Sequence, residues 1–343
     1  MSSKDKILVQ LQERQPFMSN YTISKFYSFS DFKQKVGSNN HLLITCLIGI
    51  HKVNDEDRKL EKVNHPYSWN PKDISVSIYR SDELVRKACL VWTVDCLDSL
   101  MTDFINDFYG DNQAEFDGLI RQNKFYDTQR IYTFDDIRKS VSLKFLVISA
   151  LLKGEKSLNS FREKHDLRVS NDGQKYFPKI ELIVAACDFS IQWRNNLVHS
   201  SANNDVLSDS ERVLKKYKKI LESDIYCSLE CERLKKDFSE KITPSFKEIA
   251  FMIRSLIDFG FCLNAYWIEK VNQGNILTRV LNKLFKDKKF YSCWNRIKGQ
   301  CTERKKKYLI TTLKQHGIHL KDTEARQTSD LDKILEEFVS DNS

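Results

Sequence analysis

Leu182, Ala186, Phe189, Trp193 and Leu197 recur at spacings of four, three, four and four residues. At about 100° per residue they fall on one side of a helix. An apolar stripe this continuous must be covered by other elements, and the chain offers three more windows of the same period. The first begins at Ser81-Asp82-Glu83, a start signal with Ser at the cap and acids in the first turn. It carries Cys89, Trp92, Cys96, Leu100, Phe104 and Phe108 inward and stops at Gly110. The second opens on Thr133-Phe134-Asp135-Asp136, runs through Ile137, Val141, Phe145, Ile148 and Leu151, and ends at Gly154. The third follows Pro244-Ser245, with Phe246, Ile249, Ile253, Leu256, Leu263 and Trp267 inward. Long helices over 81–109, 133–153, 180–199 and 245–270 are the content of a four-helix bundle. Ten Gly and five Pro in 343 residues agree with a mainly α chain and argue against a β-sandwich.

The flanks read differently. Residues 1–80 hold the strand signals, Leu42 to Ile48 and the alternating Ile74 to Tyr79. They suggest a small N-terminal lobe of α+β character, although the period of 42–50 also suits a helix. Asn171-Asp172-Gly173 marks a turn in the link before the 180–199 helix. The charged amphipathic segments 208–222 and 228–240 belong outside the bundle, which is taken as residues 81–271. Residues 272–343 form a basic helical extension whose acidic end, 320–343, is expected to fray. Within 279–307, Lys and Arg outnumber acids 11 to 2, interleaved with Phe285, Phe290, Tyr291 and Trp294 and followed by Tyr308. Cations and rings together suit single-stranded RNA, with Lys288, Lys289, Arg296, Lys298, Arg304, Lys305, Lys306 and Lys307 as the contacts. An amphipathic hairpin with buried aromatics explains the same pattern, and the two readings are compatible.

A second stripe runs along the 180–199 helix. Asp188, Gln192, Asn195 and His199 repeat at four, three and four residues and are all polar, beside Arg194. Ser200 to Asn204 is poor in helix formers, so the helix should end at or just past His199. The run Arg194-Asn195-Asn196-Leu197-Val198-His199 resembles the R-x4-6-H signature of the HEPN superfamily, including the polar residue that commonly follows the arginine. Arg58 and His65 meet the spacing too, but in a charged stretch that lacks an apolar stripe and ends at Pro66, and are set aside as a loop.

The resemblance covers the motif and, by pattern, 81–271. It implies a helical bundle that dimerises so that two motifs face one cleft, and a metal-independent endoribonuclease of toxin or abortive-infection, anti-phage type. By it Arg194 and His199 are catalytic and Asn195 supports them, while the flanking Asp188 and Gln192 are assigned supporting places. A non-catalytic RNA-binding or assembly module of the same fold is the alternative. Positions five apart lie about 140° apart on an ideal helix, so Arg194 must curl round or meet substrate from the second subunit. Asn195 and His199, four apart, can touch directly.

HEPN toxins silenced by a nucleotidyltransferase tend to carry Tyr two places after the histidine. Ser201 stands there, which argues against adenylylation, though not against another antitoxin or regulatory partner.

Neither a metal nor a cofactor is called for. Asp95 and Asp98 read as solvated, Cys227 and Cys231 as packing residues, and the uneven Cys293, Cys301, His316, His319 set does not make a zinc site. Nine cysteines without a C-x2-C pair suit free thiols in a reducing cytoplasm. No apolar run in the sequence is long enough to suggest a membrane span. The net charge of +8 biases the chain toward polyanions.

Overall fold

A computed structural model describes residues 20–53, 73–111, 113–122, 132–154, 168–169, 175–176, 179–199, 208–223, 231–270, 272–323 and 330–341. The Arg58 to His65 copy of the spacing, the 171–173 turn and Cys227 lie outside them. Among the described residues there are fourteen helices and four short strands. The chain is mainly α.

It divides into two compact units, Asp31–Trp267 and Met1–Ser30 with Ile268–Ser343. The larger is built on α1 (Tyr27–Ile50), α2 (Ile74–Asp111), α5 (Val141–Gly154), α6 (Ile180–Val198) and α10 (Phe246–Lys270). Helix α3 (Gln113–Gln122) follows α2, and the six-residue α4 (Phe134–Lys139) leads into α5 behind a capping box made by Thr133 and Asp136. The predicted 133–153 helix is thus two helices, broken at Ser140, whose extended backbone (φ −115°, ψ 119°) leaves the helical path. Strands β2 (Arg168–Val169) and β3 (Lys175–Tyr176) pair antiparallel just before α6.

Helices α2, α5 and α6 pack on one another. Side chains bring α10 into the same core, Phe145 meeting Phe259 at 5.3 Å between ring centroids and Phe104 meeting Trp267 at 5.4 Å. Trp193, Leu97, Phe104 and Leu256 are fully buried at the centre. By length and composition α10 could cross a bilayer, but 78% of its most apolar window is buried inside the fold, as in a core helix.

Three short helices finish the unit: α7 (Ser208–Lys216), α8 (Lys218–Ser223) and α9 (Cys231–Ser239). Phe238 of α9 sits 5.1 Å from Phe189, so a charged helix on the outside covers the apolar stripe of α6 with one ring.

Several expectations change. Both strand signals of the N-terminal lobe are helical: 42–48 lies in α1 and 74–79 opens α2, which runs unbroken through the lobe boundary at residue 80. Asn39 on α1 accounts for part of this, its amide donating to Cys89 O at 3.0 Å and Thr93 Oγ1 at 2.7 Å on α2. Tertiary packing of this kind overrides β propensity. Trp92 is not inward but 48% exposed. It lies about 140° from the buried Leu97 on the helical wheel, and apolar residues nearly encircle α2, so periodicity alone set the phase wrongly. Phe246, expected inward, is in the first turn of α10 and 46% exposed, at an open groove it shares with Ile44, Leu47 and Ile48 of α1.

A close approach fixes one glycine. A Cβ at Gly260 would lie 2.6 Å from Phe32 Cε1, and Phe32 is itself buried, so its ring cannot swing away. Gly260→Ala gains up to about 1 kcal/mol of helix propensity but forces roughly 1–3 kcal/mol of overpacking. Its urea midpoint is expected below that of the parent; a higher midpoint would show that the ring yields.

At the other end of α6, Glu181 accepts hydrogen bonds from the Tyr217 hydroxyl and from Lys216 Nζ, the latter at 3.1 Å. Tyr217 first, then Lys216, holds the Glu181 carboxyl below its ordinary value of 4.5. A carboxyl depressed by folding stabilises above its unfolded pKa and loses that contribution as pH falls through the folded one. Melting temperatures of parent and Glu181→Gln should differ at neutral pH and converge as pH drops below the ordinary glutamate value.

The second unit joins the ends of the chain. Strand β1 (Asn20–Lys25) pairs antiparallel with β4 (His319–Thr323), Tyr21 opposite Asp322 and Ile23 opposite Leu320. Helices α11 (Gln273–Lys286), α12 (Lys288–Ile297), α13 (Thr302–Gln315) and α14 (Asp330–Asp341) pack beside it. Gly317, at φ +80°, ends α13 in the left-handed conformation and lets Ile318 N–H return to Leu313 O at 2.9 Å, turning the chain into β4. Of the acidic end expected to fray, 320–323 are in β4 and 330–341 in α14, while 324–329 lie outside the described residues. Leu331, Leu335 and Val339, spaced at four, are buried as the inner face of α14.

Candidate functional site

Twelve consecutive residues of α6, Leu182 to Trp193, are buried, as are Asn195 and Asn196 beyond Arg194, and burial ends only in its last turn. The helix stops at Val198, and His199 is its C-cap residue, off the helical path at φ −114°, ψ 73°. Its backbone N–H still bonds Asn195 O at 2.8 Å, but its side chain is exposed. The polar stripe is thus graded: Asp188 and Gln192 are interior and bonded to each other at 3.3 Å, Asn195 lies just beneath the surface, and His199 is in solvent. Asp188 and Gln192 cannot touch a large substrate and act only through neighbours.

Arg194 turns to α2. Its Nη2 reaches Asp95 Oδ1 at 2.7 Å and its Nη1 donates to Asn195 Oδ1 at 3.2 Å, while its Nε is buried without a hydrogen-bond partner. The Asn195 amide in turn donates to Ser142 Oγ on α5 at 3.4 Å. Asn195 therefore holds the arginine, not the imidazole: the expected direct Asn195–His199 side-chain contact is absent because the helix ends between them. No hydrogen bond or ion pair links Arg194 to His199.

Two carboxylates read as solvated each carry an ion pair, although the Asp95 side chain stays 51% exposed. Asp98, one turn along α2 from Asp95, lies 2.7 Å from the ammonium of Lys144, which also donates to Thr102 Oγ1 at 2.7 Å. The Lys144 side chain is only 3% exposed. Asp95, Asp98 and Thr102 on α2, Ser142 and Lys144 on α5, and Arg194 and Asn195 on α6 make one polar layer where three helices meet. Sequence reading found the α6 members and missed the rest. The three-and-four spacing of Asp95, Asp98 and Thr102 was the available signal, since a polar stripe beside an apolar one on a long core helix implies partners from its neighbours.

The basic C-terminal unit resolves into core and surface. Phe285, Phe290, Trp294 and Tyr308 pack on one another at 5.0–6.3 Å between ring centroids, Phe285 edge-on, and Phe285 meets Phe338 of α14 at 5.9 Å. Phe290 and Trp294 are buried and Phe285 and Tyr308 half-buried, so the four pack into a small core instead of an open platform for bases; Tyr291 is 46% exposed. Lys305 is buried and Lys306 pairs with Glu336 at 3.3 Å, so both leave the candidate RNA-contact set. Lys288, Lys289, Arg296, Lys298, Arg304 and Lys307 remain exposed.

Burial pushes the Cys89 thiol up to about 11 and raises that of Cys96, which makes both poor nucleophiles at neutral pH. Among the described residues no group of three or more His, Cys, Asp and Glu stands close enough to hold a metal ion.

Fold and site together define a mainly α protein with an open, arginine-centred polar layer at one end of its core helix. No family model, no curated protein and no solved structure matches the chain.

Proposed function

We propose that the chain is an endoribonuclease that needs no metal, cutting RNA through its own 2′-hydroxyl. The observation that carries this reading is the last turn of α6. A helix buried almost throughout ends in an accessible imidazole, His199, and an arginine, Arg194, held from both sides by Asp95 and Asn195.

RNA brings its own nucleophile, so the site must supply only proton transfer and a cation. His199 takes the 2′-OH proton; O2′ attacks phosphorus; the P–O5′ bond breaks and O5′ leaves with a proton given by an imidazolium, that of His199 or of the second copy's motif in the shared cleft. Arg194 stabilises the charge on the phosphorane. The ends formed are a 2′,3′-cyclic phosphate and a 5′-OH. Because Arg194 and His199 do not meet within one chain, a homodimer with two motifs in one cleft supplies the missing partner groups. The HEPN resemblance supports the dimer and the toxin or abortive-infection role, which belong to the same proposal.

The test is chemical. Incubated with single-stranded RNA in EDTA, the purified protein should yield cyclic-phosphate and 5′-OH ends, and RNA methylated at every 2′-oxygen should survive. Retention of RNA without cleavage, lost on neutralising the exposed cations of α12 and α13, would favour the non-catalytic RNA-binding reading.

A further inference from the structure

Two ion pairs stand side by side on α2, one turn apart, and they differ in exposure. Lys144 and Asp98 are 3% and 35% exposed at the side chain, Arg194 and Asp95 19% and 51%. Water and salt reach the outer pair, and exposed pairs of this kind hold weakly and exchange readily. Its geometry is also incomplete. Asp95 engages Arg194 through one oxygen, Oδ1 on Nη2, instead of the two-point fork that guanidinium and an oxyanion can form. The remaining donors are Nη1, which is given to Asn195 Oδ1, and Nε, which is buried and has no partner. Arg194 is thus fixed in direction by Asn195 and neutralised on its open side by a loosely held carboxylate.

We infer that Asp95 is the resting occupant of the phosphate position of Arg194, an internal anion that the RNA phosphodiester must displace before it can be held. This rests on the nuclease reading of the site and adds its regulation. The inner pair cannot play the part, because Lys144 is buried and keeps Thr102 as a second partner. Asp95 then sets a threshold: single anions at low concentration lose to the tethered carboxylate, whereas an RNA strand that also engages neighbouring surface wins. Salt loosens the Asp95 contact as well as the RNA contact, so the internal anion flattens the salt dependence of RNA binding.

The test uses the full chain carrying His199→Ala, so that RNA is not consumed, and a fluorescein-labelled single-stranded RNA of mixed sequence as probe. Asp95→Asn should tighten binding by about fivefold, the scale expected for removing one exposed ion pair. Asp209→Asn, which removes an equal charge from a 77% exposed side chain on α7, reports the general effect of charge and should change affinity little. In an Arg194→Ala background Asp95→Asn should do no more than Asp209→Asn. Thermal melting should be the same for Asp95→Asn and its parent, which a carboxylate that merely staples α2 to α6 would not allow. Unchanged or weakened binding in Asp95→Asn, with Arg194→Ala still weakening it, overturns the inference and leaves the nuclease reading standing. If Arg194→Ala binds RNA as its parent does, that reading falls and this one with it.

Discussion

His199→Ala and Arg194→Ala should each lower the rate of RNA cleavage by a factor of about 10³ or more while leaving the protein folded. Positioned acid–base catalysis is worth roughly 10²–10⁴, and a preorganised charge on the developing oxyanion about 10²–10³. His199 is exposed at a helix terminus and makes no side-chain hydrogen bond among the described residues, so its removal should not disturb the core. Arg194 is attached only to Asp95 and Asn195, an exposed pair and a neighbour, and its loss should cost well under about 2 kcal/mol of stability. The pattern of large kinetic and small thermal effects separates a reactive pair from a structural one. Because residues of one catalytic unit act together, the double variant should be little worse than the slower single. Equal cleavage by all four proteins in EDTA would remove both residues from the mechanism.

The second large effect concerns stability. Asp98→Ala leaves the ammonium of Lys144, 3% exposed, without its carboxylate at 2.7 Å and with only Thr102 to accept from it. A buried charge stripped of its partner costs about 3 kcal/mol, which in a unit of this size lowers the melting temperature by roughly 6–12 °C. Lys144→Met in the same position removes charge and desolvation together and should fall within about 1 kcal/mol of the parent, on either side. Lys144→Met combined with Asp98→Ala should then recover most of what Asp98→Ala alone loses. Differential scanning calorimetry on the four proteins reads the cycle directly. A small loss in Asp98→Ala would show that water reaches Lys144 and that the polar layer is looser than its packing implies.

The contrast between these two expectations follows from how the layer is built. Its α6 members could be read in the sequence, because Arg194, Asn195 and His199 lie on one helix at spacings that a single-helix argument can handle. Two core helices, α6 and α10, were legible for the same reason: Leu182 to Trp193 and Ile249 to Trp267 keep a clean period and are buried at their marked positions, whereas the 133–153 window is split at Ser140 and the 81–109 window starts earlier, at Ile74. What could not be read is what depends on a second element. Asp95 and Asp98 looked solvated because their partners, Arg194 and Lys144, lie 99 and 46 residues away in sequence. The β1–β4 pair joins residue 20 to residue 323, a separation at which no local pattern speaks. Leu42 to Ile48 carries strand-forming side chains but sits in a 24-residue helix that Asn39 helps to fasten to α2. The aromatic residues of 279–307 show the same ambiguity from the other side. Rings and lysines at helical spacing fit both an RNA platform and a small core, and burial of Phe290 and Trp294 assigns them to the core, leaving only the lysines and arginines for any partner.

The central claim is that the open end of α6 receives an RNA phosphate. The chain has seven histidines, and comparison with His199→Gln identifies the ring proton signals of His199 in the NMR spectrum. Titrated with a uridine 2′,3′-cyclic phosphate, the proposed product end, those signals should shift and saturate, and Arg194→Ala should abolish the shift. Signals of His199 that stay unmoved at saturating nucleotide, in a protein that still binds RNA, would contradict the account.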